Sequence, residues 1–223
     1  MREARSTQAP ASAQASASPA EPLPSVLPVL ALRAESDGVF EAAGVPVLYC
    51  GIGKINAAFA LTRALRRYAH AGLALPLVAN FGSAGSRNHA AGTLVACHEL
   101  VQRDMDVRGL GFALGVTPFD DVPARLVFAP RFPSLPSAVC GSGDSFATTA
   151  CEILCDVVDM EAYALAKVCW LEGAAFACVK YVTDAADHDA ADHWQSNVHR
   201  AAEAFLGLHR VLEAEVAAER TGL

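Results

Sequence analysis

The chain has 223 residues, 53% of them hydrophobic and 18% charged, with a formal net charge of −7. That balance requires a sizeable buried core and excludes a disordered or fibrous chain. The negative charge argues against binding through phosphate neutralisation, so no nucleic-acid partner is expected, whereas small neutral or cationic ligands are compatible with it. Solubility alone would explain the charge equally well.

Residues 1–25 form an Ala/Ser/Pro-rich stretch with no continuous apolar segment. It reads as a disordered tail, or an over-long start, and as neither a secretory signal nor a membrane anchor. Residues 26–223 then suit one α/β domain, although size alone also allows two small ones. The seven cysteines, at 50, 97, 140, 151, 155, 169 and 178, lie mostly inside apolar runs. An odd number without CxxC spacing predicts reduced core thiols in a cytoplasmic protein, not a zinc site.

Residues 26–32 (Val-Leu-Pro-Val-Leu-Ala-Leu) predict a first buried strand, ending at Arg33-Ala-Glu35. A second strand over 45–50 runs through Gly51-Ile-Gly-Lys54 into a helix reaching about Ala71. A third strand at 76–80 is expected to break at Gly82-Ser-Ala-Gly85, and a fourth covers 93–101. The proline-rich stretch 118–136 predicts a long loop. Ser137-Ala-Val-Cys140 is a strand entering the turn Gly141-Ser-Gly-Asp-Ser-Phe146. Two apolar runs, 155–158 and 174–182, then flank a helix over 161–172 stopped by Gly173. This strand–helix–strand unit predicts parallel strands. A long amphipathic helix from Asp192 to about Glu219 closes the chain.

The alternation predicts a single three-layer α/β/α domain with a mostly parallel mixed central sheet. Glu35, Ser83, Asp144 to Phe146, Met160-Glu161 and Asp184 all fall just past an apolar strand. With parallel strands they gather at one sheet edge, where open α/β proteins bind ligands.

Several motifs carry a resemblance: Ala34-Glu35, Gly51-Ile-Gly-Lys-Ile-Asn-Ala-Ala, Asn80-Phe-Gly-Ser-Ala-Gly85, Asp104-Met-Asp-Val107, Gly141-Ser-Gly-Asp-Ser-Phe146, Asp159-Met-Glu-Ala162 and Thr183-Asp-Ala-Ala-Asp187. In this order they resemble the nucleoside phosphorylase/nucleosidase superfamily, most closely its methylthioadenosine/S-adenosylhomocysteine nucleosidase branch, across roughly residues 26–215. The resemblance implies a cofactor-free, metal-free nucleoside phosphorylase-like catalytic domain that hydrolyses a purine nucleoside. It also implies a homodimer and a place in methionine salvage. The bond would break through an oxocarbenium-like ribosyl centre, which calls for an acid at the base, a grip on the sugar and an activated water.

The same resemblance implies the roles. Asp184 matches the general acid at purine N7, and Glu161 with Met160 matches the ribose-hydroxyl site. Glu35 matches the carboxylate that orients or deprotonates the water, with Ser83 lining that side. Phe146 stacks near the base while its backbone and that of Ala147 read the purine edge. Leu110 and Pro118 match a segment that caps the 5′-substituent across a dimer interface.

Each residue also has a plainer reading. Asp184 could cap a turn, Glu161 could sit at a helix N-terminus for the dipole, and Asp37 rivals Glu35. Ser83 could be a small turn residue, and Phe146 could be core. Gly51-Ile-Gly-Lys54 lacks P-loop spacing, because Ile55 stands where Ser or Thr would be needed. Asp187-His-Asp189 with Asp192-His193 reads better as a polar loop than as metal ligands.

A phosphorylase of this superfamily would place an arginine where Asn80 stands, so water is favoured as the nucleophile over phosphate. A non-catalytic nucleoside-binding relative is the remaining alternative, and retention of all three acids argues against it. Asp159 in place of the usual glutamate, and Leu110 in place of an aromatic residue, leave the 5′-substituent open.

Overall fold

The computed structural model describes residues 23–149 and 151–221. Most of the predicted N-terminal tail, residues 1–22, lies outside the described residues. In chain order the elements are β1 (Val26–Leu30), the short helices α1 (Arg33–Ser36) and α2 (Val39–Ala42), β2 (Leu48–Tyr49) and α3 (Lys54–His70). There follow β3 (Leu77–Ser86), β4 (Leu94–Gln102), a 3-10 turn (Arg108–Leu110), β5 (Arg125–Val127), β6 (Ser137–Ser142) and β7 (Val157–Asp159). The chain continues through α4 (Ala162–Glu172), β8 (Phe176–Asp184), α5 (Ala190–Asn197) and α6 (Ala202–Thr221).

The eight strands form one mixed sheet. β1 runs parallel to β2 and β3, and β3 runs parallel to β8. β7 meets the far end of β3 antiparallel, then pairs parallel with β6, which pairs parallel with β4. β4 returns antiparallel onto β8, and β5 hangs on its other side. The path β3–β7–β6–β4–β8 therefore closes on β3. The sheet is mixed, as the sequence predicts, but its closure into a ring with antiparallel β3–β7 and β4–β8 pairs corrects the expected mostly parallel central layer.

The cause lies in β3. The expected break at Gly82-Ser83-Ala84-Gly85 is instead the second half of a ten-residue strand. Glycine-rich backbone lets a strand curl, and its register slips between Ala84 and Gly85. One curled strand can then hold β8 along its length and β7 at its tip. As a result β7 and β8 run in opposite directions, so the predicted parallel unit around α4 is not formed. Their ends still converge, because Gly85 pairs with both Val158 and Asp184.

Side chains alternate between two apolar layers, as the strand period of two requires. Leu27, Val29, Val78 and Cys178 face α3 and α4, against Leu61, Leu65 and Leu165. Val26, Leu30, Ala79, Phe81 and Val179 face α6, against Phe205, Leu206 and Leu212. Phe81 stacks on Phe205 with ring centroids 5.4 Å apart. The predicted closing helix is two helices, α5 and α6, and the predicted 118–136 loop contains β5.

One charged group breaks the apolar pattern. Lys180, central in β8, is 1% exposed, and its Nζ lies 2.8 Å from Asp159 Oδ2. Burial is the largest single influence and opposes the lysine's charge, but Asp159 together with the other acidic groups beside it outweighs burial and holds the ammonium well above its ordinary range. Burial likewise opposes the Asp159 carboxylate, and Lys180 with Ser142 and the Ala162 N–H hold it ionised, below the usual range. Removing one partner leaves a buried uncompensated charge. Lys180→Met should lower unfolding free energy by about 3–5 kcal/mol. Adding Asp159→Asn should recover much of that loss in urea titrations; a double variant as unstable as the sum of the singles would refute the pairing.

Candidate active site

Glu35 follows β1 directly, on the four-residue helix α1, and is 4% exposed. Its Oε2 accepts the backbone N–H groups of Ala31 (2.9 Å) and Leu32 (3.1 Å), the helix-capping arrangement its position allows. Its Oε1 accepts the N–H (2.8 Å) and hydroxyl (2.9 Å) of Ser83 from β3. The carboxylate is thus both a local cap and fixed against β3. Asp37, its rival in the sequence, is exposed and ends α1 in a left-handed turn.

Glu161 and Asp159 divide two tasks that the sequence merges. Asp159 accepts the Ala162 N–H at the start of α4 (2.8 Å), the Ser142 hydroxyl and Lys180. Glu161 instead accepts the Gly53 N–H at 2.7 Å, from the turn before α3. Its other oxygen accepts from none of the described residues. Burial, and then the negative charge of Asp159, push the Glu161 carboxyl up to about 8. The helix-terminus role considered for Glu161 thus falls chiefly to Asp159. The Gly53 turn is itself tied down, since Lys54 pairs with Asp104 and its N–H donates to Asp144 (2.8 Å).

Asp184 ends β8 and is 4% exposed. Its Oδ2 accepts the Thr183 hydroxyl (2.7 Å) and its Oδ1 the Ala186 N–H (3.0 Å). Ala186 delivers that N–H from a left-handed conformation, φ 49°, uncommon for a residue with a Cβ. Gly85 lies directly beneath, and a Cβ there would sit 2.6 Å from Asp184 Oδ1.

Glu35, Ser83, Phe146, Ala147, Met160, Glu161 and Asp184 line one cavity. Phe146 is 48% exposed at its mouth, so it is not core. Leu110 and Pro118 lie outside the cavity; Leu110 is 71% exposed on the 3-10 turn.

Four further contributors were missed. Ile52 and Arg103 line the cavity, Trp194 from α5 reaches over it, and Lys180 supports Asp159. Arg103 immediately follows β4, so the strand-end rule that selected the other residues would have found it. Lys180 left a signal as a charge inside an apolar strand. Trp194 left none, because an aromatic at helical spacing reads as core.

Buried acids gathered at strand ends around one cavity define a small-molecule site on a mixed α/β fold. Residues 38–213 match the phosphorylase superfamily, and the chain belongs to that family. It is 32% identical over 193 residues to a 5′-methylthioadenosine/S-adenosylhomocysteine nucleosidase of Geobacillus kaustophilus (strain HTA426), covering 75% of this chain and 78% of the relative. A protein of the same description from Marinomonas sp. (strain MWYL1) is 29% identical over 189 residues, covering 74% and 79%. Among solved structures, a Helicobacter pylori nucleosidase mutant with 5′-methylthioadenosine in its active site superposes with TM-score 0.72. The two are 20% identical, with 83% of this chain and 97% of the other covered. Futalosine hydrolase of the same species gives TM-score 0.70 at 20% identity, covering 84% and 97%. These structural likenesses speak for the fold.

Two outcomes test the site's geometry. Gly85→Ala should displace Asp184 and lower kcat about a hundredfold in a folded protein; near-normal turnover would show that the acid tolerates the shift. Glu161 binds its proton more tightly folded than unfolded, so its contribution opposes folding increasingly as pH rises from about 5 to about 8. In thermal melts, the stability of Glu161→Gln relative to wild type should rise across that window. A constant difference would contradict the raised value.

Proposed function

We propose that the protein is a purine nucleosidase that hydrolyses the N-glycosidic bond of 5′-methylthioadenosine, S-adenosylhomocysteine or a related adenine nucleoside. The observation that carries the reading is the set of three buried acids, Glu35, Glu161 and Asp184, around one cavity. Their separate partners suit three separate tasks.

Asp184 protonates the leaving purine. The Thr183 hydroxyl has one hydrogen and two acceptors in reach, Asp184 Oδ2 at 2.7 Å and Ala84 O at 3.3 Å. Turned toward Ala84, it can accept a hydrogen bond from an O–H on Asp184, so the acid keeps a partner when it carries the proton. Glu161 grips the ribose hydroxyls with its second oxygen while Gly53 fixes the first, and Met160 packs beside it. Glu35, held by Ser83, orients the water. Phe146 and Ala147 meet the purine.

Water is preferred to phosphate on charge. Asn80, where a phosphorylase would carry arginine, is buried and donates to Val29 O at 3.1 Å. Arg33 is spent on Glu41 at 2.8 Å. Arg103 does line the cavity, but it bonds Gly143 O and Ser145 on the base side. A phosphate dianion beside Glu35 would meet a carboxylate without a guanidinium.

A homodimer is part of the same proposal, with Leu110 and Pro118 reaching the 5′ end of the partner's site. Exposed Leu110 and Phe119, at 71% and 96%, support it. Free cysteines suit a cytoplasmic setting, and turnover of methylthioadenosine would serve methionine salvage. Among the described residues no helix is long and apolar enough to cross a membrane.

The test is incubation with methylthioadenosine, S-adenosylhomocysteine, adenosine and inosine, with and without phosphate. Free base and free sugar without phosphate are expected. A strict phosphate requirement yielding ribose 1-phosphate would make the protein a phosphorylase, and binding without cleavage would make it a silent relative. Asp184→Asn should cost at least about a hundredfold in kcat; unchanged turnover would remove its acid role.

A further inference from the structure

The bond between Trp194 and Ser83 links the helix over the cavity to the acid assigned to water. Trp194 Nε1 lies 3.0 Å from Ser83 Oγ, which in turn lies 2.9 Å from Glu35 Oε1. The direction of this chain is fixed by chemistry. An indole N–H can only donate, so Ser83 Oγ accepts from it. The serine has one hydrogen left to give, and Glu35 is the acceptor in line. The Ser83 N–H donates to the same carboxylate oxygen at 2.8 Å, so one residue supplies both of its donors.

We propose that Trp194 is a positioning residue for hydrolysis, acting through Ser83 to hold the Glu35 carboxylate in its water-orienting attitude. The proposal rests on the assignment of Glu35 to water given above. Without the indole N–H, the Ser83 hydroxyl can rotate toward the cavity or toward the incoming water, and Oε1 loses a fixed donor. A phenylalanine in the same place would cover the cavity but could not set the serine.

The placement of α5 gives the bond a second consequence. This helix follows the Asp184 turn within a few residues, and Asn197 at its far end donates to Thr183 O at 2.9 Å. It is therefore fastened to the strand that carries the base-side acid. Through Trp194 the same helix reaches the water-side acid. Correct seating of α5 thus sets both ends of the reaction together, and a displaced helix disturbs Glu35 as well as exposing the cavity.

The experiment is a double-mutant cycle on the full chain with the nucleoside it hydrolyses fastest. Trp194→Phe should lower kcat about tenfold with KM changed less than about twofold, as loss of one orienting hydrogen bond implies. Ser83→Ala should produce a similar loss, and adding Trp194→Phe to it should cost nothing more. Full kcat in Trp194→Phe, or a loss that persists undiminished in the Ser83→Ala background, would overturn the proposal, because the ring would then act only as a cover.

A readout free of turnover separates this proposal from the functional reading. The chain has two tryptophans, and Trp170 lies on α4, packed edge-on against Phe128. In nitrogen-15 spectra Ser83→Ala should shift the Trp194 indole resonance and speed its hydrogen exchange, leaving that of Trp170 in place. An unmoved Trp194 resonance overturns the bond even in an active enzyme. If Ser83→Ala produces the shift yet the wild-type protein cleaves no nucleoside, the functional reading is overturned, and with it the catalytic consequence, while the bond itself stands.

Discussion

The arrangement of the site depends on one buried ion pair. Asp159 on β7 takes Lys180 from β8, the Ser142 hydroxyl from β6 and the Ala162 N–H from α4. Each of those strands reaches a site residue within one short step. Glu161 is two residues past Asp159, Asp184 four past Lys180, and Phe146 four past Ser142. A single carboxylate thus sets the origin for the positions proposed to meet the sugar, supply the acid and hold the base. Glu35 joins the same frame, because it and Lys180 share the space over Gly82, where a Cβ would lie 3.1 Å from Glu35 Oε1 and 3.3 Å from Lys180 Nζ. A buried pair of this kind is weak evidence for stability, since desolvation offsets its attraction. Its consequence here is register, which an apolar substitute could not impose.

The electrostatics follow from that frame. One ammonium faces several buried acids, and it is already committed to Asp159. Glu161 bears the imbalance: burial and the neighbouring carboxylate raise its proton affinity. A ribosyl centre that gains positive charge as its bond to the base stretches would favour the ionised form of Glu161, and would do so only in the transition state. Fixed negative charge around a developing cation is a stabilisation that the neutral ground state does not receive. The acid-rich cavity is therefore unfavourable when empty and suited to the reaction proposed for it.

Much of this was legible in the chain, for identifiable reasons. Glu35, Glu161 and Asp184 each follow an apolar run, and a carboxylate at the end of a buried strand is conspicuous in any sequence. The route by which they meet was not legible. Strand direction was inferred from the helix between β7 and β8, a rule for crossovers within an open sheet. It fails when the sheet closes and the second strand joins a different neighbour. Gly82 to Gly85 read as a break because glycine weakens strands in isolation, and tertiary pairing overrode that preference. The division of labour between Asp159 and Glu161 was hidden for another reason. Both precede the same helix, and only the fold brings Gly53 to one of them and Lys180 to the other.

The glycines of β3 show how fold and site constrain each other. Each glycine in a strand costs roughly 0.5–1 kcal/mol against alanine, so Gly82 and Gly85 weaken the longest strand of the sheet. The cost is offset by pairing with β8 from Val78 through Gly85 and with β1 along its first half. The usual route to a firmer strand, adding side chains, is closed at both positions. A methyl group at 82 would crowd Glu35 and Lys180, and one at 85 would meet Asp184. Backbone without side chains is what allows two acids and a lysine to approach the sheet so closely. The strand's local weakness and the packing of carboxylates around the cavity therefore have the same cause, and neither could be changed without the other.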